Sequence, residues 1–87
     1  MEIIRALPAF ARVGLKRSAG YKRIAEGLFP PPIKVGKRAA GFPKHEIDAI
    51  VALVVAGASD EEIKDAVSKL VALRQATARD LFGGANE

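Results

Sequence analysis

Eight consecutive residues, Lys16-Arg17-Ser18-Ala19-Gly20-Tyr21-Lys22-Arg23, gather four cations, a serine hydroxyl and a phenol. On a 3.6-residue wheel Gly20, Ile24 and Gly27 share one side, while Ser18, Tyr21, Lys22 and Ala25 look the other way. A basic, hydroxyl-bearing outer face is what a helix in a DNA major groove needs. Lysine and arginine donate to guanine O6 and N7, serine is adaptable, and small residues allow close approach. Arg17, Ser18 and Lys22 are therefore the candidates for base edges. Tyr21 and Arg23 suit phosphates, which position a helix without reading sequence. Lys34, Lys37 and Arg38 form a second basic group around Gly36 and are further phosphate candidates. The bland alternative is a solvated basic helix with Tyr21 half-buried.

The charge distribution favours the sharper reading. The 87 residues carry a net charge of +4, but residues 1–45 hold ten Lys/Arg against Glu2 and Glu26 alone. That is a balance of +8 in the first half, whereas four Lys/Arg against eight acids leave −4 in residues 46–87. A basic front suits a polyanion, and the acidic back is free for another purpose. With one tyrosine, four phenylalanines and no tryptophan, a stacking platform for single strands is a poor fit, so duplex DNA is the expected partner.

Other chemistries find little support. Without cysteine there are no disulfides, thiolate metal sites or cysteine nucleophiles, and His45 alone makes neither a metal cluster nor a catalytic dyad. No Gly-rich phosphate loop is present. Asp60, Glu61, Glu62 and Asp65 crowd one helix start, which capping explains better than acid–base work. The sequence thus predicts no enzyme, no cofactor, no metal and no small-molecule substrate. Its longest apolar run, Ala49 to Ala58, is about half the ~18 residues of a membrane span, and the first residues lack a signal-peptide layout. A cytoplasmic, nucleoid-associated protein without a membrane partner is expected.

Punctuation locates the elements that must hold the basic groups. Pro8 and Gly14 bound a two-turn helix whose inner side carries Leu7, Phe10 and Ala11. After a turn at Leu15-Lys16, a second helix runs from about Arg17 to Glu26 and stops at Gly27, the spacing of a helix-turn-helix. Pro30-Pro31-Pro32 forbids helix. Ile33-Lys34-Val35 and Ala39-Ala40-Gly41-Phe42 then make a hairpin, with Gly36 expected at positive φ. Pro43 opens a third helix closed by Gly57, with Ile47, Ile50, Val51 and Val54 facing the core and Leu53 and Val55 off the stripe. Ser59 and Glu62 form a capping box for a fourth helix striped by Ile63, Ala66, Val67, Leu70, Leu73, Thr77 and Leu81. Gly83-Gly84-Ala85-Asn86-Glu87 reads as a frayed tail.

The order of these residues is recognisable. Leu7-Pro8, Gly14-Leu15, Arg17-Ser18, Tyr21-Lys22, Gly27, Phe29-Pro30, Pro32-Ile33-Lys34-Val35-Gly36, Arg38 and Phe42 resemble the AlpA family of prophage regulatory proteins, small relatives of excisionases and MerR-like domains. The resemblance spans about residues 3 to 56. It implies a winged helix-turn-helix whose second helix enters the major groove while the hairpin contacts the backbone. It also implies regulation of prophage or genomic-island genes, often those of excision. Three positions depart from the pattern. Lys16 replaces a capping serine at a cost of ~1 kcal/mol. Ala19-Gly20 replaces a threonine and a branched aliphatic, Gly20 costing roughly 1 kcal/mol in the helix and forfeiting a core side chain. Phe42 stands where the family has tryptophan.

The expected fold is mainly α with a small two-stranded β wing, a winged helix-turn-helix plus a C-terminal helix. Residues 1–57 would form the DNA-binding domain and 58–87 an oligomerising helix. A dimer would pair through Ile63, Val67, Leu70 and Leu81, because the apolar surface of the last two helices exceeds one core face. The expected function is that of a sequence-specific duplex-binding transcriptional regulator of phage type. Two alternatives are an excisionase-like architectural factor for recombination and, in another class, a helical protein–protein interaction module.

Overall fold

The computed structural model describes residues 2–82, so the expected frayed tail lies outside the described residues. In chain order the elements are β1 (Ile3–Arg5), α1 (Ala6–Ala11), α2 (Arg17–Ala25), β2 (Ile33–Lys34), β3 (Ala40–Pro43), α3 (Lys44–Val55) and α4 (Asp60–Leu81). The fold is mainly helical with a small antiparallel sheet, a winged helix-turn-helix followed by a long C-terminal helix.

The expected two-stranded wing is a three-stranded sheet of order β1-β3-β2. β2 pairs Ile33 with Gly41 and Lys34 with Ala40, and β1 adds itself to the other edge through Ile4 with Phe42 and Arg5 with Gly41. A three-residue strand that pairs almost forty residues away leaves no local pattern to read. Gly41 admits it, since a Cβ there would lie 2.5 Å from Ile3 Cγ2 and 3.0 Å from the Ile4 carbonyl oxygen. Gly36 takes no positive φ, contrary to expectation. The N–H groups of Val35 and Gly36 both donate to the Ala39 carbonyl, so the tip is a loop over residues 35–39, wide enough to need no left-handed residue.

Three helices end as the glycines predict. Gly14, Gly27 and Gly57 have φ between 73° and 78°. In each case the following residue's N–H reaches five residues back (Leu15 to Phe10, Leu28 to Arg23, Ala58 to Leu53), while the glycine N–H reaches three back. This is the Schellman arrangement, which satisfies carbonyls the helix leaves open. At α4 the capping box forms: Glu62 N–H donates to Ser59 Oγ at 3.2 Å and Ser59 N–H donates to Glu62 Oε1 at 2.8 Å. Lys16 precedes α2 in extended geometry with no side-chain cap, as its departure from the family pattern implies.

The core is aromatic at its centre. Phe10, Phe29 and Phe42 are fully buried with ring centroids 5.2–5.8 Å apart, and Ile4, Leu28, Ile47, Ile50, Ile63 and Val67 surround them. Each such buried side chain contributes roughly 1.5–3 kcal/mol. Phe10 also explains Gly20. A Cβ on Gly20 would lie 2.4 Å from ring atoms of Phe10, so the volume of the missing side chain is already filled. Gly20→Ala should therefore destabilise the protein by roughly 1–3 kcal/mol through overpacking, although alanine is the better helix former by about 1 kcal/mol. Urea unfolding checks this, and a net stabilisation would show that the ring can give way.

Several facings differ from the periodic reading. In α1 the buried pair is Ala9 and Phe10, while Leu7 is 56% exposed and Ala11 lies in solvent. Six residues anchored by one aromatic have no stripe to repeat. In α3, Ile47 and Ile50 are buried, but Val54 is 46% exposed and Leu53 packs against the core instead. The actual stripe is Glu46-Ile50-Leu53 with Ile47 and, as expected, Val51, and its polar member hid it. Glu46 is 0% exposed and accepts from Arg74 Nε at 2.8 Å and Nη2 at 2.6 Å, while the same Nη2 donates to the Pro31 carbonyl at 2.9 Å.

α4 shows the matching rotation. Ile63 and Val67 lie in the chain's own core with Leu70, Val71 and Arg74 continuing inward, while Leu73 and Leu81 are exposed. Of the four residues expected at an interchain surface, Ile63 and Val67 are thus consumed within the chain, Leu70 packs against the same core, and Leu81 alone is open. Within α3, Asp48 pairs with Lys44 at 2.8 Å, and it reaches Arg12, just past the end of α1, at 3.5 Å. The Lys44 hydrogen bond, helped by the charges of Lys44, Arg12 and His45, holds the Asp48 carboxyl below the usual carboxylate range. What this cluster adds to stability is therefore present at neutral pH and lost only as pH falls through that lowered value.

Candidate nucleic-acid interface

α1, the turn after it and α2 present the first basic segment, and the β2–β3 hairpin presents the second. Within α2, Arg17 and Tyr21 stand one turn apart, and Ser18 and Lys22 form the neighbouring row. All four are exposed on the described surface. Tyr21 keeps its phenol accessible, at 46% exposure, while its ring packs edge-on to Phe10 at 5.1 Å. The core thereby sets where the hydroxyl sits.

The tertiary fold brings part of the predicted set together. Arg17 and Tyr21 of α2 and Arg38 of the hairpin loop line one open cleft of about 400 Å³ together with Ala6, Leu7 and Pro8. Leu7, exposed and unexplained as a core residue, is part of this lining. Arg17, expected beside Ser18 and Lys22 at base edges, stands in the cleft with the hairpin arginine. Arg23 is not brought there: it lines a small hollow with Val13, Leu15 and Leu28 on the inner side. Lys34 and Lys37 are exposed on the hairpin outside the cleft. One residue escaped the sequence reading altogether. Arg5, at the end of β1, lines the same cleft. Its signal was unreadable because β1 itself was.

The electrostatics are sharply divided. Of the 14 Lys/Arg, five are in salt bridges: Arg12, Lys44, Lys64, Lys69 and Arg74. Among the described residues the other nine have no carboxylate within that distance, and eight of these nine lie between Arg5 and Arg38. His45 is exposed at the start of α3. Among the described residues no helix is long and apolar enough to cross a membrane, and no group of His, Cys, Asp and Glu is arranged to hold a metal ion.

Two helices joined by a glycine-bearing turn, followed by a basic hairpin that shares a cleft with the second helix, define a basic winged helix-turn-helix. Residues 2–52 match the family model described as prophage CP4-57 regulatory protein (AlpA), and the chain belongs to that family of phage regulatory proteins. Compared with curated proteins and with solved structures, the chain matches none. The family match ends within α3, so α4 and Arg74 lie beyond it.

Proposed function

We propose that the protein is a sequence-specific duplex DNA-binding regulator of phage genes, acting at the nucleoid without catalysis or cofactor. The carrying observation is the convergence of Arg17, Tyr21 and Arg38 on one cleft, which joins the second helix to the wing as a single cationic surface. In this reading α2 enters the major groove with Ser18 and Lys22 toward base edges. Tyr21, Lys34, Lys37 and Arg38 hold phosphates, joined by Arg17 from its place in the cleft, and Arg23 supplies charge from the edge of the surface.

Reading and positioning are separable. Lys22→Ala should cost roughly 1–3 kcal/mol on a selected site and relax preference at one base step. Lys37→Ala should weaken selected and random duplexes about equally. Duplexes selected from a random library supply both substrates. A proportional loss on both duplexes for Lys22→Ala would move the reading face off α2.

Residues 1–57 carry DNA contact in this proposal, and 58–87 carry pairing of two copies, even though α4 shares the core. Pairing uses the exposed end of α4, where Leu81 is 74% exposed and Leu73 is also open. A two-fold would set half-sites about one helical turn apart, ~34–36 Å. Light scattering should give a dimer that Leu73→Glu with Leu81→Glu reduces to a monomer. A monomeric parent chain at high micromolar concentration would refute pairing.

A further inference from the structure

Arg5 reaches the cleft from β1, a strand belonging neither to the helix-turn-helix nor to the hairpin. Its register explains the placement. Arg5 pairs with Gly41, one residue from the start of β3, so it lies at the end of the sheet nearest the loop that carries Arg38. Arg5, Arg17, Arg38 and Tyr21 therefore line one cleft.

Three arginines lining one cleft bring three positive charges to the same surface. Among the described residues none has a carboxylate within salt-bridge distance, although Glu2 and Glu26 are available in the same half of the chain. None makes a side-chain hydrogen bond to the protein either. Among the described residues nothing within the fold thus offsets their charge. Guanidinium is the planar fork that matches an oxyanion bidentately.

We infer that this cleft is a phosphate clamp. Arg5, Arg17 and Arg38 each take a phosphate of one short run of duplex backbone, the run between the stretch of groove facing α2 and the stretch under the wing, with the Tyr21 hydroxyl beside them. The inference rests on the duplex-binding reading above and adds β1 to the interface. Inorganic phosphate shares the recognised chemistry.

The test is the salt dependence of binding to a mixed-sequence duplex by the full chain and by Arg5 variants. Arg5→Ala should shrink the slope of log K against log salt by about 0.9, one contact. Its affinity near 0.1 M salt should fall roughly 5- to 10-fold for every sequence alike. Arg5→Gln, which keeps the stem on the strand, should do the same with an unchanged unfolding temperature. Arg5→Lys should keep the slope yet bind several-fold more weakly, because a point charge replaces the fork. Arg5→Ala with the parent slope and affinity overturns the clamp. If the parent chain bound no duplex, the duplex reading itself would fail, and arginine Nε–H signals titrated with inorganic phosphate would decide the site. Selective shifts of Arg5, Arg17 and Arg38 would uphold a phosphate site there, and their absence would end it.

Discussion

Arg74→Ala should be the most damaging single change outside the aromatic core, costing roughly 3–5 kcal/mol. Glu46 has no exposed surface, and both its oxygens accept from Arg74, whose side chain is 22% exposed. Removing the guanidinium leaves a carboxylate in the core with no partner, and the cost is mainly that of the stranded charge. A domain of this size is held by about 5–10 kcal/mol, so the loss approaches half of it. At about 4–8 °C per kcal/mol the midpoint should fall on the order of 20 °C. Thermal and urea unfolding followed by circular dichroism measure the midpoint and the free energy. Replacing both partners by methionine should recover most of the loss, because apolar packing of similar volume substitutes well for a buried pair. Full stability in Arg74→Ala would mean that Glu46 is not held as described. Arg74 also donates to Pro31, at the base of the wing, so amide exchange around Ile33 and Lys34 should quicken in the same variant.

Duplex binding should collapse with salt. Eight cations between Arg5 and Arg38 have no carboxylate partner among the described residues, and five to eight phosphate contacts follow from them. At roughly −0.9 per contact the slope of log K against log salt should be about −4 to −7. Between 50 and 200 mM salt the affinity should then drop about 10²- to 10⁴-fold. Titrations of one labelled duplex across that range decide it. A slope near zero, or no binding at low salt, would leave the basic half as a solvated surface and return the interaction-module reading. The acidic half lowers the net charge to +4 without neutralising the front, since among the described residues its salt bridges engage only Arg12 and Lys44 from residues 1–45.

The legible features share one property, locality. Gly14, Gly27 and Gly57 end helices because only a residue without Cβ adopts their φ cheaply, and that preference is visible at one position. Ser59 and Glu62 cap α4 through bonds spanning three residues. Arg17, Ser18, Tyr21 and Lys22 are exposed on α2 because polar and basic side chains follow the outer side of a short helix. The illegible features are pairings across long separations. Glu46 reads as one more acid of the back half until Arg74, 28 residues on, meets it. Arg5 reads as a terminal charge until β1 joins β3.

The sequence alone therefore determined the helix ends at Gly14, Gly27 and Gly57, the capped start of α4, the helix-turn-helix spacing, the basic hairpin, the asymmetric charge and, through the order of its motifs, the family, while α1 starts at Ala6, two residues before the expected Pro8. Each depends on residue type at short range, where propensity, capping and turn geometry act on neighbouring atoms. Only the tertiary structure decided the exact facing of α1, α3 and α4. Leu7 was turned out and Leu53 in, Gly20 became the seat of the Phe10 ring, and Ile63 and Val67 went to the intrachain core. It also decided that Arg5 stands with Arg17 and Arg38. Those outcomes follow from close packing, in which one volume admits one side chain, and from the cost of leaving a buried charge unpaired. Neither condition exists until distant segments meet.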